Sequence, residues 1–372
     1  MTGELRAFRR RRLTPEEGKA AAFRALGTPI DSRHSILEQL CLDDPETLLP
    51  LLDEIRKQLE SSPNKVLEET SFLYSYLESL RPRYPVDSFL LDEREYFLGE
   101  TARIAGTACR ELSLRDEARR WLDLSEAWFL STENAAGNLA KVSYQRLALR
   151  TEEREFDAVS ELLPRLIDTF RKLGMSEDAI KARFLEAAVL KETDRLSEAA
   201  NVFGEIAAEA TELKNQPLLA WAHVNMVQVH GILGDMDQVV EKAAAATPLL
   251  RNLGNHIGLA KLQWGVGYLL RTQSRVPAAI DAFRTAQAEF TELGMRADVA
   301  AVHLVIADLL LDAGQDRQAE WEIRQALPII DEYKLVPEGF AALSLLRESL
   351  RRQKIDRTAL RNLHGYFEEL SS

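Results

Sequence analysis

The sequence predicts an all-α protein, an array of about seven helix–turn–helix hairpins preceded by a small N-terminal helical subdomain. Three observations carry this reading. Small and apolar residues recur in register every 40 residues. Glycine recurs where an apolar helical stretch ends. Only 18 Gly and 13 Pro occur in 372 residues, below the usual usages of about 7% and 5%, which is too few for a turn-rich sandwich or barrel.

Composition narrows the class of protein. A hydrophobic content of 46% suits a chain with a large core. Two cysteines, Cys41 and Cys109, give neither a disulfide framework nor a metal-ligand cluster. No apolar run reaches the roughly 18 residues of a membrane span. Met1 to Leu13 carries the charge of a signal-peptide n-region, but no apolar h-region follows. The net charge of −12 argues against bulk affinity for nucleic acid or anionic membrane. A cytoplasmic protein without a membrane partner is expected.

Residues 1–31 form the first segment, a basic, partly disordered arm with a short helix. Arg6, Arg9, Arg10, Arg11 and Arg12 lie in it. Residues 1–33 hold eight Arg/Lys against four Asp/Glu, a net of +4, so the rest of the chain carries −16. Such a run suits either a solvated terminus or an arm on nucleic-acid phosphates. No recognition-helix motif, zinc finger or aromatic platform accompanies it.

Residues 32–85 are expected to be an N-terminal helical subdomain. Helical stretches read at 15–26, 32–41, 45–61 and 64–80. Asp44 before Pro45 and Ser62 before Pro63 are the expected helix starts. Arg81-Pro82-Arg83-Tyr84-Pro85 reads as a linker.

From 94 to 370 the repeat takes over. One column reads Leu173, Leu213, Leu253, Leu293, Tyr333, and the next Gly174, Lys214, Gly254, Gly294, Lys334. Glycine after an apolar stretch is the left-handed stop of a helix. Three residues on stand Glu177, Pro217, Ile257, Ala297 and Pro337, where proline suits a first helical position. Inside each unit a small column, Val159, Ala199, Val239, Ala279, Ala319 and Ala359, comes first. Four residues later stand Leu163, Phe203, Ala243, Phe283, Ile323 and Leu363. Three further on stand Leu166, Ile206, Ala246, Ala286, Ala326 and Tyr366. Spacings of four and three share one helix face. Gly106 with Ala118, Leu122 and Ser125 is an earlier copy, slipped by one residue. The hairpins fall near 94–131, 136–173, 177–213, 217–253, 257–293, 297–333 and 337–370. The last should cap the array, with Arg347, Arg351, Arg352, Lys354, Arg357 and Arg361 outside and Leu346, Leu350, Leu360 and Leu363 inside.

Gly267 with Ala279, Phe283 and Ala286, and Ala199 with Phe203 and Ile206, resemble the tetratricopeptide repeat, whose signature has Ala-x3-Phe in the second helix. The usual unit is about 34 residues, and six extra lengthen its two helices by about 1.7 turns in total. The chain therefore resembles the long-helix variety found as sensor domains of bacterial regulators. The resemblance implies a right-handed superhelical solenoid with first helices lining a concave groove.

On that basis three columns face the groove. Lys141, Lys181, Trp221 and Lys261 form the first. Tyr144, Phe184, Val224 and Trp264 form the second, and Ala148, Ala188, Gln228, Tyr268 and Asp308 the third. Aromatic platforms with flanking amines suit a recognition surface, and Asn225 and Gln228 suit an extended peptide backbone. The aromatic rings equally suit packing between helices. Chaperone-tail arrays place Lys and Asn in the second and third columns, which this chain does not.

Nothing points to catalysis. The histidines are His34, His223, His230, His256, His303 and His364. His223 and His230 lie two turns apart without a third ligand, which suits structural residues better than a metal site. No phosphate-binding glycine loop, nucleophile elbow or Cys–His pair occurs, so no cofactor is expected. The expected function is a non-catalytic adaptor or sensor that binds a protein or peptide segment, acidic or bearing a C-terminal carboxylate. The alternative is a transcription-associated regulator that contacts nucleic acid through its Arg-rich arm.

Overall fold

The computed structural model describes residues 13–33, 40–42, 44–59, 62–80 and 93–332, with positions 339, 342, 344 and 345 beyond them. Among the described residues there are sixteen helices and no strand. The Arg-rich run at 6–12, the linker at 81–85 and nearly all of the expected capping hairpin at 337–370 lie outside the described residues. The chain divides into two compact units, residues 1–111 with 115–149, and residues 112–114 with 150–372.

The first unit begins with α1 (Pro15–Gly27), α2 (Ile30–Arg33), α3 (Pro45–Lys57) and α4 (Pro63–Ser79), followed by α5 (Arg94–Glu111) and α6 (Arg115–Leu130). Residues 136–149 of α7 (Ala136–Glu152) complete it. A capping box opens α1: Thr14 Oγ1 accepts from Glu17 N–H, and Thr14 N–H donates to Glu17 Oε2 at 2.9 Å. Asp44 caps α3 as its place before Pro45 predicts, accepting from Glu46 N–H, and it also accepts from Leu13 N–H, both at 3.0 Å. One carboxylate thus ties the starts of two helices together. Ser62, by contrast, starts α4 without a side-chain cap bond.

Every residue of α5 from Phe97 to Cys109 is buried, so α5 is the central rod of this unit. Its neighbours supply Leu48, Leu52 and Ile55 from α3 and Leu73 and Leu77 from α4. Its small residues admit α6. A Cβ on Gly99 would lie 2.8 Å from the Phe129 ring, and one on Gly106 would lie 3.1 Å from Leu122. Ser125 Oγ donates to Gly99 O at 2.7 Å. The Gly106, Ala118, Leu122, Ser125 copy therefore packs as its spacing predicts.

The second unit runs α8 (Phe156–Lys172), α9 (Ser176–Glu192), α10 (Leu196–Glu212), α11 (Gln216–Leu233), α12 (Met236–Leu253), α13 (His256–Thr272), α14 (Val276–Glu292), α15 (Arg296–Asp312) and α16 (Asp316–Glu332). First helices start at Ser176, Gln216, His256 and Arg296, and second helices at Phe156, Leu196, Met236, Val276 and Asp316. Each start is 40 residues from the last.

Left-handed residues sit at both joints of the repeat. Gly174, Lys214, Gly254 and Gly294 have φ of 70°, 53°, 63° and 72°. The next N–H in each case reaches back five residues, as from Met175 to Phe170 O at 2.9 Å and from Met295 to Phe290 O at 2.8 Å. Lys214 holds this geometry with a Cβ, which costs about 1 kcal/mol relative to glycine. The other joint, Arg154, Asp194, Gly234, Ser274 and Gly314, is also left-handed.

The small column Val159, Ala199, Val239, Ala279 and Ala319 is buried throughout. So are Leu163, Phe203, Phe283 and Ile323. Gly267 faces Phe283 so closely that a Cβ there would lie 2.6 Å from the ring. A glycine on the first helix therefore makes room for the phenyl ring of the second.

Candidate functional site

The residues expected in the groove fall in both units. Lys141 and Tyr144 stand on α7 within the first unit, half-buried. Burial works against the charge of Glu100, but Arg103, Lys141 and Arg56 together hold its carboxyl below the usual range. Lys141 is thus engaged in the electrostatics of its own unit. The other expected residues belong to the second unit and to its first helices.

On α9, the Lys181 side chain is 45% exposed, with Nζ 3.8 Å from Asp178. Phe184 lies beside it, its ring 5.9 Å from that of Phe203, and packs on the α9–α10–α11 core. It is mainly a packing residue. On α11, Trp221 is half-buried against the cores on either side. Asn225 donates from Nδ2 to Trp221 O at 2.8 Å, within its own helix. That leaves its oxygen and its second N–H for a guest. Gln228 is half-buried on the same helix.

On α13, Lys261 Nζ sits 5.5 Å from the centre of the Trp221 ring, a cation–π contact between neighbouring first helices. Trp264 stacks on Tyr268, with centroids 6.5 Å apart and planes 29° apart. Each ring also anchors inward: Trp264 lies edge-on to Phe290 at 5.8 Å, and Tyr268 edge-on to Phe283 at 5.5 Å. Burial raises the Tyr268 phenol above its ordinary value. These two rings are therefore both core and surface.

Sequence reasoning missed two charged groups near this cluster, Lys191 and Arg271. Lys191, at the end of α9, is 23% exposed, and its Nζ lies 3.7 Å from Glu192. Burial lowers its pKa, Glu192 opposes that, and the ammonium of Lys261 lowers it further. Arg271 of α13 pairs with Asp308 of α15 at 2.5 Å. Lys191 and Arg271 occupy one 40-residue column with Thr151, Gly231 and Leu311; only its irregularity marked it, so its role was not legible.

Lys261 has no ion-pair partner among the described residues and faces an aromatic ring, and the buried Lys191 feels its charge. The cluster thus offers positive charge over an aromatic floor. Groups of three or more His, Cys, Asp or Glu that could hold a metal are absent among the described residues. No described helix is long and apolar enough to cross a membrane.

No family model matches this chain, and no curated protein matches it in sequence. Solved structures do resemble it. A Rap protein crystallised in complex with competence and sporulation factor superposes with a TM-score of 0.54 at 13% identity, over 92% of this chain and 99% of its own. The APC/C Cut9–Hcn1 hetero-tetramer gives 0.47 at 17% identity, over 86% of this chain and 58% of the other. The apo form of RapI gives 0.43 at 13% identity, over 91% and 96%. The likeness to the first establishes the fold, that of a helical-repeat protein of the tetratricopeptide type.

Proposed function

We propose that this chain is a non-catalytic binding scaffold whose first-helix face in the second unit holds a peptide or protein segment bearing a carboxylate. The observation that carries the reading is the placement of Lys261 over Trp221, on the helix that also carries the stacked Trp264–Tyr268 pair. An amine without a carboxylate partner, set on an aromatic floor, gains most from an anionic guest with an apolar body. Asn225 and Gln228 stand one and two turns along α11 from Trp221 and suit the backbone of an extended segment. The helical-repeat neighbour crystallised with competence and sporulation factor is consistent with a segment-binding scaffold.

Affinity capture from native extract tests the reading, with the wild-type chain and a Lys181→Glu, Lys261→Glu chain in parallel. The wild type is expected to retain a defined partner that the double variant loses, with helix content and melting temperature unchanged. An unchanged set of partners would place binding elsewhere.

A further inference from the structure

A cleft lies on the second-helix side of the same unit. Between α14 and α16 it opens onto solvent with a volume of about 500 Å³, and α15 is its floor. That volume is within the range of pockets that hold a small ligand or a large side chain. Ile306 and Leu310 make the floor apolar, and Ile280 of α14 adds to it from the side. Trp321 forms one wall and is 53% exposed.

Trp321 breaks a pattern. Its column across five copies of the repeat reads Glu161, Asn201, Glu241, Asp281, Trp321, and the position is exposed in every copy. Four hairpins place an acid or an amide in water there, and the fifth places an indole. The ring makes an edge contact with His303 at 6.3 Å but leaves over half its surface in solvent. Exposed aromatic surface over an apolar cleft is characteristic of a docking position.

The charges of the cleft point to the occupant. Arg284 donates through Nη2 to Glu322 Oε1 and through Nη1 to Gln287 Oε1 at 2.7 Å. The other Glu322 oxygen lies 2.7 Å from His303 Nδ1. Arg284 and Glu322 therefore neutralise one another. Asp281 is exposed on the rim and has no ion-pair partner among the described residues. One arginine against two carboxylates leaves the lining with a net negative charge.

We infer that this cleft docks an arginine side chain of a partner protein, with the guanidinium stacked on Trp321 and paired with Asp281. A planar guanidinium stacks on an indole and binds a carboxylate at once, while its aliphatic stem lies on the apolar floor. The site is separate from the first-helix face and needs neither its lysines nor its aromatic rings.

Fluorine NMR of the full chain labelled with 5-fluorotryptophan tests this. The chain has five tryptophans, and Trp321→Phe identifies the Trp321 signal by its loss. The probes are acetylated, amidated pentapeptides, Ala-Leu-Arg-Leu-Ala and the same sequence with norleucine or glutamate at the centre. The arginine peptide is expected to shift the Trp321 signal saturably, and the other two are not. Asp281→Asn should weaken that binding by roughly two- to fivefold, as for an exposed ion pair. No shift with the arginine peptide, an equal shift with norleucine, or an unchanged affinity in Asp281→Asn would each overturn the inference.

Discussion

Gly231 of α11 and Gly265 of α13 meet backbone to backbone. A Cβ on Gly231 would lie 2.4 Å from the Gly265 carbonyl oxygen, and one on Gly265 would lie 2.7 Å from Val227 Cγ1. This crossing sets the separation of the two first helices that carry Trp221 and Lys261. Gly231→Ala should force them apart and cost about 1–3 kcal/mol, measured as a lower midpoint in urea unfolding. Because the helices also position the cluster, the variant should lose partner affinity even where it remains folded.

The repeat was legible in the sequence because one residue per column decides each feature. Gly267 against Phe283, and the left-handed Gly174, Gly254 and Gly294, are local necessities written as single letters. The Gly231–Gly265 crossing was not legible. It joins two first helices rather than the two arms of one hairpin, and glycine at 231 recurs nowhere else in its column. The candidate site was legible in part. The columns found Lys261, Trp264 and Tyr268, but alternation along a helix does not say how deep an aromatic ring sits, and Phe184 is mostly core. Lys191 escaped because its burial and the influence of Lys261 on it depend on how helices two hairpins apart are arranged.

Arg33 and Glu69 form a bidentate pair with side chains only 3% and 5% exposed. Arg33 Nε also donates to Thr28 O at 2.9 Å, so α2 is fastened to α4 by one guanidinium. Glu69→Ala would leave a buried charge unpaired and should cost about 3–5 kcal/mol. The double change Arg33→Met, Glu69→Leu should recover most of that loss. Denaturant unfolding of the three chains checks both statements.

His223 and His230 lie on α11 with their Nδ1 atoms buried and without a hydrogen-bond partner. Burial lowers both pKa values below the ordinary 6.5. The ammonium of Lys242 lowers them further, while Glu241, and for His230 also Asp235, oppose the shift. The unfolded chain then takes up protons first. Stability is full above about pH 6.5 and falls as the pH drops below it. Melting temperatures of the wild type should decline between about pH 7 and pH 5, where carboxylates stay ionised. A His223→Gln, His230→Gln chain should decline less.

Cys109 is buried in α5, and burial pushes its thiol up to about 12. Only the thiolate reacts with a disulfide reagent. Cys41 is partly exposed. Titration with such a reagent at about pH 8 should label one thiol in the native protein, and the second only after unfolding.

The central claim is that a carboxylate-bearing segment lies on the first-helix face around Trp221 and Lys261. Site-specific photo-crosslinking tests it most directly. p-Benzoylphenylalanine is placed at Asn225, beside Trp221 on α11, or at Asn201, exposed on the second helix α10. After irradiation in native extract the adducts are mapped by mass spectrometry. The account predicts an adduct at 225 with a segment carrying an acidic side chain or a C-terminus, lost when Lys261→Glu is added, and none at 201. Adducts at 201 alone, or an adduct at 225 that Lys261→Glu leaves unchanged, would contradict it.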